Sequence, residues 1–176
     1  MSRQKTVLRT VRIAKDLDDL IQKDARAKRI SVNSLVAAIF MKYCEWDRFA
    51  EKYGYASIPK NFLRDLLDSL DEEKLLAIAE KSGAEHPNEV IHFWFKNTSL
   101  ETLLSYIRIH ADYCNLMEVE IENDTRNYTI SLQHNYGRKW SKFLERFFDK
   151  MLRTHLKVTP HFETTENNVT LKFELP

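Results

Sequence analysis

The stretch "TVLRTVRIAKDLDDL", residues 6–20, begins with the residue alternation of a β-strand and continues with the pattern of a helix. In the strand, Val11 and Ile13 lie on one face, and Thr10 and Arg12 lie on the other. The following forty residues or so contain no second strand pattern. Because a lone strand leaves its N–H and C=O groups unpaired, it requires a partner strand from a second copy or from a distant part of the same chain.

Two helices are predicted after this strand. The first spans about residues 15–28, and three aspartates near its start suit the positive end of the helix dipole. The second begins after Ser31, a favourable N-cap residue. Its apolar stripe consists of Leu35, Val36, Ile39, Phe40 and Tyr43.

Basic residues are concentrated at the front of the chain. Residues 1–50 hold eleven Lys and Arg against six Asp and Glu, a net charge of +5, whereas residues 51–176 have a net charge of −4. The basic residues that precede the first acidic residue, Asp16, are Arg3, Lys5, Arg9 and Arg12. This asymmetry predicts that a polyanion binds at the front of the chain.

The order of a short basic strand and two helices resembles the ribbon-helix-helix family of DNA-binding proteins, the Arc and MetJ superfamily. The resemblance covers about residues 5–46 and rests on "TVRIAKDLDDL", on the turn "RISVNS" and on the spacing between them. It implies a homodimer in which the first strands of two chains form an antiparallel ribbon that enters the major groove of DNA. One departure is Ala14, where many members carry proline.

If two chains pair in this way, Thr10 and Arg12 point outward from the ribbon. Arg can donate two hydrogen bonds to guanine, Thr can contact a base edge or a thymine methyl, and Leu8 adds an apolar contact. The N–H groups at the start of the second helix suit a phosphate, and flanking basic residues add salt-dependent affinity. The predicted phosphate contacts are Arg3, Lys5, Arg9, Ser31, Val32 and Asn33.

The remainder of the chain predicts helices followed by an antiparallel sheet. One or two helices follow Pro59, and we expect them to end at Gly83. A further helix is predicted near residues 99–114, two alternating strands follow it, and a long helix spans about residues 138–154 before two final strands. The fold class is therefore α+β. The predicted division is a DNA-binding domain at 1–53, a helical connector at 54–98 and a C-terminal α+β domain at 99–176.

An aromatic segment in the connector and a residue pair in the next helix are further candidates. Because Phe93, Trp94 and Phe95 cannot all face one core, the segment indicates a ligand pocket or a dimer interface, or else a helix buried on two sides. His110 and Cys114 are four residues apart, which lets both reach one metal ion. Both also lie on an apolar stripe, and no third ligand is placed, so we expect them to fill core space and predict no metal site and no cofactor.

Other classes of function find little support in the sequence. With only three glycines, the chain has no glycine-rich loop that could bind a phosphate. No pair of a nucleophile and a base occurs in a turn motif that is typical of enzymes, so the chain is not predicted to be an enzyme. No apolar run approaches the roughly 20 residues of a membrane span, and a signal-peptide core is lacking. Two cysteines give no disulfide framework, which favours a reducing, cytoplasmic compartment.

The sequence thus predicts a homodimeric, sequence-specific DNA-binding transcription regulator with a C-terminal domain for effector sensing or oligomerisation. One alternative is a ligand- or metal-binding protein that uses the N-terminal ribbon only to dimerise. Another is an antitoxin-like autoregulator whose C-terminal part binds a toxin. Such toxin-binding tails are usually disordered alone, whereas this C-terminal region has the pattern of a folded domain.

Overall fold

The computed structural model describes residues 6–175 and divides the chain into two compact units. We call Met1–Glu45 unit 1 and Trp46–Pro176 unit 2. The described residues combine helices with a four-stranded antiparallel sheet near the C-terminal end, which confirms the predicted mixture of helix and sheet. Two of the predicted phosphate contacts, Arg3 and Lys5, lie outside the described residues.

Unit 1 contains two helices, α1 (Lys15–Ala27) and α2 (Val32–Lys42), at the places that the sequence predicts. Residues 6–14 are exposed and form neither helix nor strand. The strand predicted from about Leu8 is therefore absent from the structure of the single chain. Strand hydrogen bonds need a partner segment, so the ribbon between two chains stays a prediction.

The end of α1 is fixed by a Schellman motif. The N–H of Ile30 donates to the carbonyl of Ala25 at 3.0 Å, and the N–H of Arg29 donates to the carbonyl of Arg26 at 3.1 Å. Arg29 has a φ of 55°, in the left-handed region that glycine favours. These bonds reverse the chain so that α1 and α2 contact each other.

A π-helical turn at Tyr43–Asp47 follows α2 and leads into the helices of unit 2. These helices are α3 (Arg48–Tyr53), α4 (Lys60–Ser69), α5 (Glu72–Phe95), α6 (Leu100–Cys114) and α7 (Arg138–His155). The bounds of α6 and α7 confirm the helices predicted near residues 99–114 and 138–154.

Helix α5 runs through Gly83 and Pro87, so the prediction that a helix ends at Gly83 was wrong. A Cβ at Gly83 would overlap the carbonyl oxygen of Phe147, and glycine therefore permits the close approach of α5 and α7. Pro87 has no N–H to offer the carbonyl four residues earlier. Burial lowers the pKa of His155 in α7, and the nearby carbonyls of Ala84 and Gly83 partly oppose this shift, which places the imidazole beside the interrupted turn of α5.

The sheet has the strand order β1-β2-β4-β3, with every neighbouring pair antiparallel. Its strands are β1 (Glu118–Asp124), β2 (Asn127–Gln133), β3 (His161–Thr164) and β4 (Asn168–Glu174). Ile130 in β2 is fully buried and lies opposite Ile121 of β1 and Leu171 of β4. The alternation of apolar and polar residues that predicted these strands therefore marks one buried face and one exposed face.

The core of unit 2 lies between α5, α6, α7 and the buried face of the sheet. Its fully buried side chains include Leu75, Ile91, Leu103, Phe148, Met151 and Val169. Helix α7 contacts α5 and both C-terminal strands, so its apolar face joins the helices to the sheet. Across residues 6–175, no helix combines the length and the apolar character that crossing a membrane requires.

Candidate functional site

The side chains predicted to contact DNA bases are exposed in unit 1. Leu8 has 94% of its surface exposed, and Thr10 and Arg12 are exposed as well. Arg9, a predicted phosphate contact, is also exposed. These four residues precede α1, in the segment that forms neither helix nor strand in the single chain, and nothing among residues 6–175 covers them.

The predicted phosphate site lies at the start of α2. The hydroxyl of Ser31 accepts a hydrogen bond from the N–H of Ser34 at 3.0 Å, which confirms the predicted N-cap. Ser31 and Asn33 are exposed, whereas Val32 is half-buried. Because the first N–H groups of a helix have no acceptor within it, those of Val32 and Asn33 are available to an anion. Ser31 therefore orders this site rather than offering a free hydroxyl.

Unit 1 exposes most of its large apolar side chains. Of its described residues, only Ala25 and Leu35 are fully buried. The exposed apolar side chains are Val7, Leu8, Val11, Ile13, Leu17, Leu20, Ile30, Ile39, Phe40, Met41 and Tyr43. So many exposed large apolar side chains in one small unit are typical of a surface that is buried in an assembly.

An aromatic cluster lies in the helical part of unit 2. Trp46 packs against Tyr55 and Trp94, with ring centroids 4.9 and 5.9 Å apart. Phe93 contacts Trp94 at 5.5 Å, so two of the three predicted interface or ligand residues belong to this cluster. The third, Phe95, packs against the hydrophobic core. All three side chains are half-buried.

A cavity of about 790 Å³ lies beside the aromatic cluster, within unit 2. Trp46 and Tyr55 line one part of it. Helix α6 contributes Tyr106, Ile107, His110, Tyr113 and Cys114, and α7 contributes Trp140, Phe143, Leu144, Phe147 and Phe148. The cavity is therefore mostly apolar and aromatic, with a few polar groups from α5, α6 and the segment after α3.

The hydroxyl of Tyr55 joins two histidines in a directed chain of hydrogen bonds. The carbonyl of Tyr106 can only accept, so its 2.8 Å bond to Nδ1 of His110 places the ring proton there and leaves Nε2 as an acceptor. Tyr55 therefore donates to Nε2 of His110 at 2.6 Å and accepts from Nε2 of His86 at 3.2 Å. Both histidine tautomers are fixed by this arrangement.

Burial keeps the histidine, tyrosine and cysteine side chains of the cavity uncharged near neutral pH. It lowers the pKa of His110 to about 4 and raises the pKa of the Cys114 thiol to about 11. Burial also raises the pKa of Tyr55 and Tyr106 and lowers the pKa of His86. Apart from the two carboxylates in its lining, the cavity therefore presents neutral imidazole, phenol and thiol groups to anything that enters it.

The spacing of His110 and Cys114 brings both residues to the cavity. Both ring nitrogens of His110 are engaged, by Tyr55 and by the carbonyl of Tyr106. In the part of the chain that the structure describes, no group of three or more His, Cys, Asp or Glu side chains could hold a metal ion. His110 and Cys114 therefore belong to the lining of the cavity.

Four residues of this region were not predicted from the sequence as site residues: Trp46, Tyr55, His86 and Tyr106. One signal was available, because four of the ten residues 46–55 are aromatic, against 11% of the whole chain. A second was that Tyr106 and His110 are four residues apart on one helix face. Neither signal connects residues 46–55 to α6 or α7, since that connection is made by tertiary packing.

The shifted pKa of His110 predicts a pH effect on stability. Unfolded histidine has a pKa near its ordinary value of 6.5, whereas that of folded His110 is about 4. Between these values the unfolded chain binds a proton that the folded chain does not, so the contribution of His110 to stability is complete above pH 6.5 and is lost as the pH falls towards 4. In His110→Gln, the loss of unfolding free energy between pH 7 and 4.5 should be smaller by about 2 kcal/mol.

Urea unfolding followed by tryptophan fluorescence measures this difference. The comparison is made within each protein, so a pH-independent cost of the substitution cancels. A variant that loses as much stability as the wild type over the same pH interval would show that His110 does not titrate in this way.

Comparison with protein-family models finds no match to this chain, and comparison with curated proteins finds none either. The basic N-terminal segment of unit 1 and the cavity of unit 2 are therefore the features from which a function can be argued.

Proposed function

We propose that the chain is a homodimeric, sequence-specific DNA-binding transcription regulator, with unit 1 as its DNA-binding and dimerisation module. One observation carries this proposal: unit 1 leaves most of its large apolar side chains exposed and buries only Ala25 and Leu35 among its described residues. A unit this small needs additional burial to be stable. A second copy of the same unit supplies it.

The pattern of exposed residues supports pairing through residues 8–13. Val11 and Ile13 have 65% and 48% of their surfaces exposed and would share one face of a strand. Pairing two such strands antiparallel satisfies their backbone groups and turns this apolar face towards the helices. The opposite face then carries Thr10 and Arg12, together with Leu8, on a two-stranded ribbon that fits the major groove.

The charge distribution supports DNA as the ligand of this ribbon. The basic excess lies in the first fifty residues, and the N–H groups at the start of α2 add a second position for a phosphate. An antitoxin-like role would require a segment that folds upon a toxin, whereas residues 46–175 already form a packed unit with its own core. The regulator is the function that these features favour.

Arg12→Ala tests base recognition. The operator is first obtained by selection from a pool of random duplexes with the full chain. Affinity for this operator and for a random duplex is then measured by fluorescence anisotropy at two salt concentrations. Loss of one bidentate contact to guanine should reduce the preference for the operator by about 5- to 150-fold, while the dimer persists. If Arg12→Ala binds the operator as tightly as the wild type, the assignment of the outward face is wrong.

Ser31→Asp tests the phosphate site at α2. Aspartate preserves the N-cap but brings a negative charge to the anion site, so affinity should fall for all DNA sequences alike. Ser31→Thr keeps both the cap and the neutral hydroxyl and serves as the matched control. If the two variants bind DNA equally well, the start of α2 does not contact a phosphate.

A further inference from the structure

We propose that the cavity of unit 2 binds an uncharged aromatic molecule, which packs against the aromatic lining and hydrogen-bonds the hydroxyl of Tyr106. That this molecule acts as an effector rests on the proposed function, because an effector presumes that the chain is a regulator. Binding itself does not rest on that function and can be measured without DNA.

The size and lining of the cavity set the class of ligand. A volume of about 790 Å³ falls within the range of roughly 300 to 1,000 Å³ in which proteins bind small organic molecules. Trp46 and Tyr113 contribute aromatic rings, and α7 adds Trp140 and Phe143, which stack with centroids 4.7 Å apart. Such walls favour a flat aromatic molecule over a flexible aliphatic one, because ring contacts add stabilisation to the burial of area.

The charges around the cavity exclude an anion and disfavour a cation. No Lys or Arg is among the described residues that line it, so an anionic group would be buried without a counter-charge. The lining carboxylates are those of Asp47 and Glu51, which would repel an anion. Glu51 is exposed, so its attraction for a cation is screened by water, and the half-buried Asp47 already has an interaction partner.

Tyr106 provides the polar contact for such a ligand. This side chain is only 5% exposed and lines the cavity, yet none of the hydrogen bonds among residues 6–175 involves its hydroxyl. Tyr55, by contrast, already donates to His110 and accepts from His86. The hydroxyl is not among the enclosed atoms without a partner, so it keeps surface towards the cavity, where a ligand with one polar substituent would hydrogen-bond it.

The test uses three naphthalene probes that differ in charge. The full-length protein without DNA is titrated by calorimetry with 2-naphthol, 2-naphthoate and 2-naphthylmethylammonium at pH 7. We expect 2-naphthol to bind with a dissociation constant below about 1 mM and both charged probes to bind at least about tenfold more weakly. No binding by any probe overturns the site, and tighter binding of either charged probe overturns the ligand class.

Tyr106→Phe tests the hydroxyl contact with one atom removed. Affinity for 2-naphthol should fall by about 2- to 12-fold, whereas affinity for naphthalene, which has no hydroxyl, should not change. Tyr136→Phe is the matched control, because Tyr136 is also buried with an unpaired hydroxyl but does not line the cavity. An equal loss in both variants, or none in Tyr106→Phe, contradicts the assignment. Neither result bears on DNA binding by unit 1, so the two proposals can fail separately.

Discussion

Val11→Asp is expected to convert the dimer into monomers at micromolar concentration, whereas Thr10→Asp is expected to leave the dimer intact and to abolish DNA binding. Adjacent residues of a strand point to opposite faces, so these neighbouring substitutions act on different surfaces. In the dimer, Val11→Asp would bury two carboxyl groups in an apolar interface. Even an uncharged carboxyl group without a hydrogen-bond partner costs about 2–7 kcal/mol to bury. This loss of dimerisation free energy raises the dimer dissociation constant by at least about a thousandfold.

The exposure of Val11 makes this test selective. Because 65% of its surface is exposed, the substitution leaves the packing within one chain almost unchanged. Sedimentation equilibrium measures the mass, and anisotropy with the selected operator measures DNA binding. If both variants remain dimers and bind DNA equally, the alternation that underlies the ribbon is wrong.

Gly83→Ala is expected to destabilise unit 2 by about 2 to 3 kcal/mol. The new methyl group would overlap the carbonyl oxygen of Phe147 and lie 3.1 Å from its carbonyl carbon, and backbone atoms cannot move aside as a flexible side chain can. The higher helix propensity of alanine, worth about 1 kcal/mol in a free helix, opposes this effect and is too small to cancel it.

The control for Gly83→Ala is the reverse exchange at an exposed position of the same helix. Ala77→Gly removes helix propensity without changing a contact in the core and should cost about 1 kcal/mol or less. Unfolding in urea followed by tryptophan fluorescence reports on unit 2, since all three tryptophans lie there. A rise in the midpoint for Gly83→Ala would mean that α5 and α7 do not approach as closely as the structure shows.

The elements whose signals are local were predictable from the sequence. Strand β1 follows from the alternation of Val119 and Ile121 with glutamates, and β2 follows from that of Ile130 and Leu132 with polar residues. Helix α7 follows from its wide apolar face. The continuity of α5 was not predictable. Gly83 and Pro87 are helix-ending signals in isolation, and only the packing of Phe147 and His155 from α7 turns them into interior residues.

The two candidate sites also differ in how far they can be predicted from local sequence patterns. The residues of the proposed DNA surface are neighbours in the chain, so composition and alternation indicate them directly. The cavity combines Trp46 and Tyr55 with α6 and α7, and its lining runs from Trp46 to Phe148 along the chain. No local sequence pattern predicts that these segments pack together. The spacing of Tyr106 and His110 does predict that both lie on one helix face.

The most direct test of the central claim, that residues 8–13 of two chains pair as a ribbon, is the distance between spin labels at position 10. Each chain carries one nitroxide at Thr10→Cys, in a background where Cys44 and Cys114 are replaced by Ser and Ala. A strand rises about 3.3 Å per residue, so antiparallel pairing centred anywhere in residues 8–13 places the two labelled Cα atoms within about 20 Å. We predict such a short distance between chains, and its loss on dilution with unlabelled protein. A dimer whose labels lie much farther apart, or a chain that remains a monomer, would contradict the account.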